Sequence, residues 1–199
     1  MDEQYYLAKE GQAETREELL TVEYWRNDKS FRFLETKKKY LKSPVGDFGC
    51  GYGPLTILTA RMGFTVTGFD INEQYLENGS KLRQESDRVT FARCLLSNIP
   101  APDHSFASGI CKEVLEHITA PDIPAVLNEF KRVLKPGANL IFTVPRESLL
   151  KPVDPFHHVT FFHSPRELAR YLKKNGFTIV KKEFNRIYRR ICVIARTPH

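Results

Sequence analysis

At 199 residues and 41% hydrophobic content, the chain is long enough to fill one core and too short for two. No uncharged apolar run approaches a membrane span, and the segment "MDEQYYLAKEGQ" has no basic region leading into an apolar stretch, so neither insertion into a membrane nor export is expected. The net charge is +6, and Arg166 to Arg196 carry ten basic side chains against two acidic ones, which puts the whole surplus in the C-terminal quarter. The expectation is a soluble cytoplasmic protein of one domain, 1–199, with a helical cap over 1–43 and a ligand-binding core over 44–199. The basic quarter reads as solvated faces of a helix and a hairpin, or as a patch that attracts nucleic acid or an anionic small molecule. "KKK" at 37–39 reads as a solvated helix face. The four cysteines, Cys50, Cys94, Cys111 and Cys192, form no C-x-x-C pair and stand in apolar surroundings, as buried free thiols do.

In chain order, "VGDF" opens the first strand of the core and "GCGYG" follows it. "PLTILTARM" (54–62) predicts a helix with proline in its first turn, where the missing N–H costs nothing. "FTVTGFD" (64–70) is β-branched and aromatic, hence a strand, and 72–85 returns to helical character. Short apolar runs at 89–94 and 106–111 predict two more strands. "PDIPAVLNEFKRVL" predicts a helix, with Lys135 in its last turn and Gly137 just beyond its end. "NLIFTV" (139–144) is a buried strand, and 164–176 is a further helix. "FTIVKKEF" and "YRRICVIAR" are joined by too few residues for a helical crossover and predict an antiparallel pair. Strands alternating with helices imply a mostly parallel sheet covered on both faces.

Gly49, Gly51 and Gly53 end a strand and open a helix, a junction where free N–H groups and the helix dipole accept an anion. The dinucleotide pattern G-x-G-x-x-G is not met, because its sixth position is Pro54. That spacing argues against a pyrophosphate. Asp70, at the end of the second strand, is placed either to accept hydrogen bonds from a ribose diol or to cap the next helix.

The stretch "VGDFGCGYGPLTILTARMGFTVTGFDIN" resembles the nucleotide-binding half of class I S-adenosylmethionine-dependent methyltransferases, in their type 11-like small-molecule branch. "VLEHI", "FKRVLKPGANLIFTVP", "HHVTFFHSPRELARYLKKNGF" and "CVIAR" follow the same family in order. The resemblance implies an α/β, Rossmann-like sheet of seven strands with helices on both faces, mostly parallel, its last strand antiparallel between its neighbours. It implies S-adenosylmethionine as cofactor. Asp47 and the loop of Gly49, Cys50, Gly51 and Gly53 would surround the methionine end, with Lys112 on the cofactor side as well. Asp70 would hold the ribose and Ile71 would touch the adenine. Two residues depart from the family: Leu95 stands where an acidic residue usually recognises the adenine amino group, and Ala107 stands where Asp is common. Adenine recognition would then rest on backbone groups near Leu95 and Leu96.

Methyl transfer from a sulfonium needs alignment and exclusion of water, and a hydroxyl acceptor must also lose a proton to a base or to a metal-assisted path. "CKEVLEHI" follows the fourth strand, and as a helix it would put Glu113, Glu116 and His117 on one face at i, i+3 and i+4. His117 is the candidate catalytic residue. E-x-x-E-H is also similar to metal sites in methyltransferases acting on ubiquinone-precursor phenols and on the 3′-terminal ribose of small RNAs, with His157 or His158 completing a shell. The expectation is nonetheless no metal, since the four groups come from two segments whose approach the sequence does not fix. Tyr24, Trp25 and Phe31, with the loop from Arg146 to His163, are the candidate acceptor wall, the aromatics alternatively packing a helix. The expected acceptor is a small molecule. Base methylation of nucleic acid is disfavoured, because "CKEV" stands where an "NPPY"-type motif would be; ribose methylation, and a cofactor-binding protein without chemistry, stay open. An NAD-dependent oxidoreductase is the remotest alternative.

Overall fold

The structure is a computed structural model that describes residues 21–27, 29–146, 158–186 and 189–199. Two short helices, α1 (Val22–Asn27) and α2 (Lys29–Glu35), precede the sheet. The core then runs β1 (Val45–Phe48), α3 (Pro54–Arg61), β2 (Val66–Asp70), α4 (Glu73–Leu82), β3 (Val89–Arg93), β4 (Phe106–Lys112), α5 (Ile123–Val133), β5 (Leu134–Pro145), α6 (Pro165–Lys174), β6 (Thr178–Asn185) and β7 (Arg190–Arg196). The strand order is β3-β2-β1-β4-β5-β7-β6. β7 pairs antiparallel with both β5 and β6, and the other described pairings are parallel. This is the seven-stranded Rossmann-like sheet the sequence implies, with the antiparallel strand in second place from one edge.

Period-2 alternation sends side chains to opposite faces of the sheet. From β5, Ile141 joins the core beneath Leu34 and Ile57, while Leu140, Phe142 and Val144 join the core beneath α5 and α6. From β7, Cys192 and Ile194 go to the first core and Ile191, Val193 and Ala195 to the second. The second core is aromatic at its centre: Phe48 stacks on Phe130 with centroids 4.4 Å apart and on Phe69 at 5.8 Å. Phe31 and Leu34 of α2 are buried, so Phe31 belongs to the packed core and not to a wall for an acceptor.

The helix ends follow local chemistry. Pro54 occupies the first turn of α3, behind Gly53 at φ +84°. Asn72 caps α4, its side chain accepting from the N–H groups of Gln74 and Tyr75, so the cap is Asn72 and not Asp70. Ser164 caps α6 by accepting from Glu167 N, while the Glu167 carboxylate accepts from His163 N at 2.8 Å. One boundary differs from expectation. α5 stops at Val133, Lys131 and Arg132 are the basic residues of its last turn, and Lys135 to Gly137 already belong to β5. The chain turns straight from helix to strand because Leu134 is extended, at ψ 143°, and pairs with Phe106. Lys37 also departs from the expected solvated face: it is buried and ion-paired with Glu183 of β6, while Lys38 and Lys39 are exposed.

β1 leads to β2 and β3 on one side, and β4 leads to β5 on the other. The order therefore reverses between β1 and β4, and a crevice opens at their C-terminal ends. Among the described residues no helix is long and apolar enough to cross a membrane.

Candidate active site

The loop after β1 is built by the strand beside it. Gly49 N and Cys50 N both donate to Phe69 O, and Gly53 N donates to Cys50 O at 3.2 Å. Gly51 N donates to Asp70 Oδ2 at 2.7 Å, and Asn72 N donates to Asp70 Oδ1 at 3.0 Å. The N–H groups of Gly49, Cys50, Gly51 and Gly53 are thus engaged within the protein, so the glycines themselves do not supply the open anion cradle expected of them. What the loop offers is bare backbone. Gly51 has φ +54° and a Cβ there would meet no atom within 4 Å, because the residue faces the crevice. At Gly49 a Cβ would lie 2.4 Å from Val114 Cγ2, so that glycine lets the loop after β1 pack against the segment after β4.

Gly49, Gly51, Asp70 and Ile71 line one side of the crevice, with Cys94, Leu95 and Leu96 beyond them. Val114, Ile118 and Val126 give the crevice an apolar floor, and Glu113 and His117, from the same segment after β4, line it too. Sequence reading did not assign Cys94, Val114, Ile118 or Val126 to the crevice. Their signal was position alone: Cys94 directly follows β3, and Val114 and Ile118 lie in the segment after β4, at the sheet edge where ligands bind. Burial pushes the Cys94 thiol up to about 12, so it is not a thiolate nucleophile. Cys94 and Cys50 are only half-buried, unlike Cys111 and Cys192, and all four thiols are free. A separate small recess holds Asp47, Cys50 and Lys112. The Asp47 carboxyl is pushed up to about 6, chiefly by burial, against the lowering effects of the Thr56 hydroxyl that donates to it at 2.7 Å and of Lys112. Lys112 lies 5.4 Å from the centre of the Trp25 ring, which α1 brings over this end.

The segment after β4 is not the expected helix. Leu115–His117 is one turn of 3₁₀ helix and Glu113 precedes it at φ +54°, a conformation strained for a residue with a side chain. Glu113 therefore shares no helical face with Glu116 and His117. Its carboxylate accepts from Thr143 Oγ1 at 3.0 Å and pairs with Arg190 Nε at 2.7 Å. Glu116 turns inward instead, 1% exposed, and among the described residues neither carboxylate oxygen has a hydrogen-bond partner. Burial, and then the Glu113 charge, raise its carboxyl well above the usual range. The segment from His158 is stitched alongside: Val159 N and Thr160 N donate to Glu116 O, and Thr160 Oγ1 donates to Ile118 O at 2.6 Å. These bonds bring the His158 ring to 5.0 Å from that of His117, edge to face. Glu116, His117 and His158 each offer a ligand atom within 4.8 Å of the others. His157 and most of the loop from Arg146 to His163 lie outside the described residues.

The family described as a methyltransferase domain matches residues 45–137, the span that carries the glycine loop, Asp70 and the segment after β4. The ubiquinone biosynthesis O-methyltransferase of Vibrio cholerae is 30% identical over 166 residues, 73% of this chain and 67% of that protein. The chain belongs to the class I S-adenosylmethionine-dependent methyltransferases. The ubiquinone biosynthesis O-methyltransferase of Thiobacillus denitrificans is similar to the same degree, 29% identical over 75% of this chain and 71% of its own length. A methyltransferase structure from Methanosarcina mazei superposes with a TM-score of 0.64 at 25% identity, covering 82% of this chain and 97% of that one. Membership makes the chain a methyl-transferring enzyme and S-adenosylmethionine its cofactor. The crevice fits that cofactor: bare backbone at Gly51, a carboxylate at Asp70 and an apolar floor lie within one cleft.

Proposed function

We propose that this methyltransferase methylates a small-molecule acceptor bound on the His117 side of the crevice. The observation that carries the reading is that His117 lines the same cleft as the glycine loop and Asp70. The bound cofactor supplies a methyl group already activated by a sulfonium. Asp70 would hold the ribose, its oxygens serving the diol as well as Gly51 and Asn72, since a carboxylate has about four acceptor positions. Ile71, with backbone groups near Leu95 and Leu96, would take the adenine, above the floor of Val114, Ile118 and Val126. Asp47, Gly49, Cys50, Gly53 and Lys112 would enclose the methionine end. His117 would orient the acceptor and take its proton. Calorimetry with S-adenosylmethionine, followed by transfer of isotopically labelled methyl to pools of metabolites and of RNA, tests the reading. Label in the metabolite pool supports it. Label in RNA alone, or binding without any transfer, overturns it.

A second reading is favoured by the Glu116 carboxylate, which has no hydrogen-bond partner among the described residues and stands beside two imidazoles. Glu116, His117 and His158 would hold a divalent cation, with room left for an acceptor hydroxyl whose pKa the cation lowers. Glu113, committed to Arg190, would stand behind this set and not in it. Phenol or ribose hydroxyls are then the expected acceptors.

A further inference from the structure

β7 runs against β5, so its first residue, Arg190, stands at the same edge of the sheet as the C-terminal end of β5, paired with Pro145 on one side and Asn185 on the other. Topology thus brings Arg146, Arg186, Arg189 and Arg190 together at the rim on the side where Glu113 lines the crevice. Arg146 N donates to Arg189 O at 2.8 Å, and the Arg146 guanidinium lies 5.1 Å from the centre of the Phe184 ring. Arg190 reaches across β5 to Glu113, which lines the crevice. Among the described residues that is the only carboxylate pairing at this rim, and none pairs with the exposed Arg146, Arg186 or Arg189. Among the described residues four guanidiniums stand against one carboxylate at this rim, and that carboxylate is already engaged.

Like charges gathered at one rim repel one another unless an anion joins them. Guanidiniums present forked donors that match a carboxylate or a phosphate, and beside an apolar cleft their attraction is less screened than in open water. We propose that the acceptor carries an anionic group, a carboxylate or a phosphate, which docks on Arg146 and Arg189 with Arg190 behind them, while the methyl-accepting atom points to His117. The inference rests on the proposed small-molecule methylation and names the class of its substrate. The fixed Glu113–Arg190 pair has a part in this: it anchors the rim to the crevice wall and sets the distance between the anion and the reacting atom.

The test uses the protein saturated with S-adenosylhomocysteine and three probes of one ring size: phenol, benzoate and phenyl phosphate. Binding is followed by ligand-observed nuclear magnetic resonance. At least one anion should bind about tenfold or more tighter than phenol, and that margin should shrink as salt rises from about 0.05 to 0.5 M. The stronger of benzoate and phenyl phosphate tells which anion the rim was built for. Arg146→Ala combined with Arg189→Ala should erase the margin, and Arg190→Lys should reduce it by removing the fork while keeping the charge. Equal binding of phenol and both anions, or a margin untouched by the double variant, overturns the inference. So does a short RNA competing for the same rim about tenfold better than phenyl phosphate. Cofactor affinity and methyl transfer to neutral acceptors, measured in parallel, report on the proposed function separately, so the two can fail independently.

Discussion

Gly51 N–H donates to Asp70 Oδ2 at 2.7 Å, across the gap between the loop after β1 and the end of β2. The residue proposed to hold the ribose thus also fixes the loop that surrounds the other end of the cofactor. Asp70→Ala should weaken binding of S-adenosylmethionine and S-adenosylhomocysteine alike by about 1.5–3 kcal/mol, through lost charge-assisted bonds to the diol and a loosened Gly51. Asp70→Asn keeps one acceptor oxygen for the loop and should fall between the two. Calorimetry on the three proteins decides, and unchanged affinity in the alanine variant would sink the ribose assignment.

Gly49 and Gly51 should fail in different ways. A side chain at Gly51 meets only open crevice, so Gly51→Val should fold, with a loss of about 1–2 kcal/mol from its left-handed backbone, and should bind no cofactor. A side chain at Gly49 collides with Val114 as well as adopting φ +80°, so Gly49→Ala should lose more stability than Gly51→Ala, whose Cβ is unobstructed. Urea denaturation and cofactor titration, run on both, would expose a misread loop if Gly51→Val bound normally.

The alternating strands and helices, the terminal antiparallel pair and the glycine loop were legible because each rests on short-range signals: period-2 runs such as "NLIFTV", prolines and glycines at helix starts, and a hairpin too short for a crossover; the seven-stranded sheet with its last strand between its neighbours came with the family resemblance. Asp70, the last residue of β2, and His117, in the turn that follows β4, could be placed at the crevice edge by position. The partners of Glu113 were not. Its ion pair with Arg190 joins residues 77 apart in sequence and depends on β7 lying next to β5. The predicted helical face for Glu113, Glu116 and His117 failed because Glu113 takes a left-handed conformation that no propensity favours in glutamate. Arg190 and Thr143 supply the contacts that hold it there. The approach of His158 to His117 was open in the sequence for a similar reason: it is set by backbone bonds from Val159 and Thr160 to Glu116, which carry no residue signature.

Asp47 ties stability to pH with a definite sign. Its folded pKa, about 6, lies above its unfolded value, so its contribution to stability is fully present below about pH 4 and is lost as pH rises through 6. Asp47→Asn, which can keep the bond from Thr56, should remove that dependence and make the cofactor-free protein more stable at pH 7.5 by about 1–3 kcal/mol. Cofactor affinity should move the opposite way, because the ionised carboxylate attracts the cationic methionine end. In the wild type, affinity should fall as pH drops below 6, and in Asp47→Asn it should be weaker and flat. Melting curves and cofactor titrations between pH 4.5 and 8 check both signs, and a pH-independent wild-type affinity would contradict the placement of Asp47 beside the methionine end.

The last prediction separates proton transfer by His117 from assistance by a cation. Under either reading His117→Ala should lower turnover by about 10²–10⁴ while leaving cofactor affinity nearly unchanged, since the residue stands at the acceptor end of the crevice. Glu116 distinguishes the two. Burial, and then the Glu113 charge, raise its carboxyl pKa and so favour the protonated form in the cation-free site, and the stability it gives is lost as pH rises through that folded value. If His117 works alone, Glu116→Gln fixes in place a neutral group of the shape that burial favours, so turnover should stay within about twofold and stability on the alkaline side should rise. A chelator should change nothing. If a cation is held, Glu116 must be ionised to ligate it, and Glu116→Gln, His158→Ala and chelation should each abolish turnover, with recovery on adding a divalent ion only in the chelated wild type. The proposed function expects the first pattern, because Glu113 is diverted to Arg190 and leaves three protein ligands on the site. Chelator-sensitive turnover with a silent Glu116→Gln protein would reverse that order and move phenol and ribose hydroxyls to the front as acceptors.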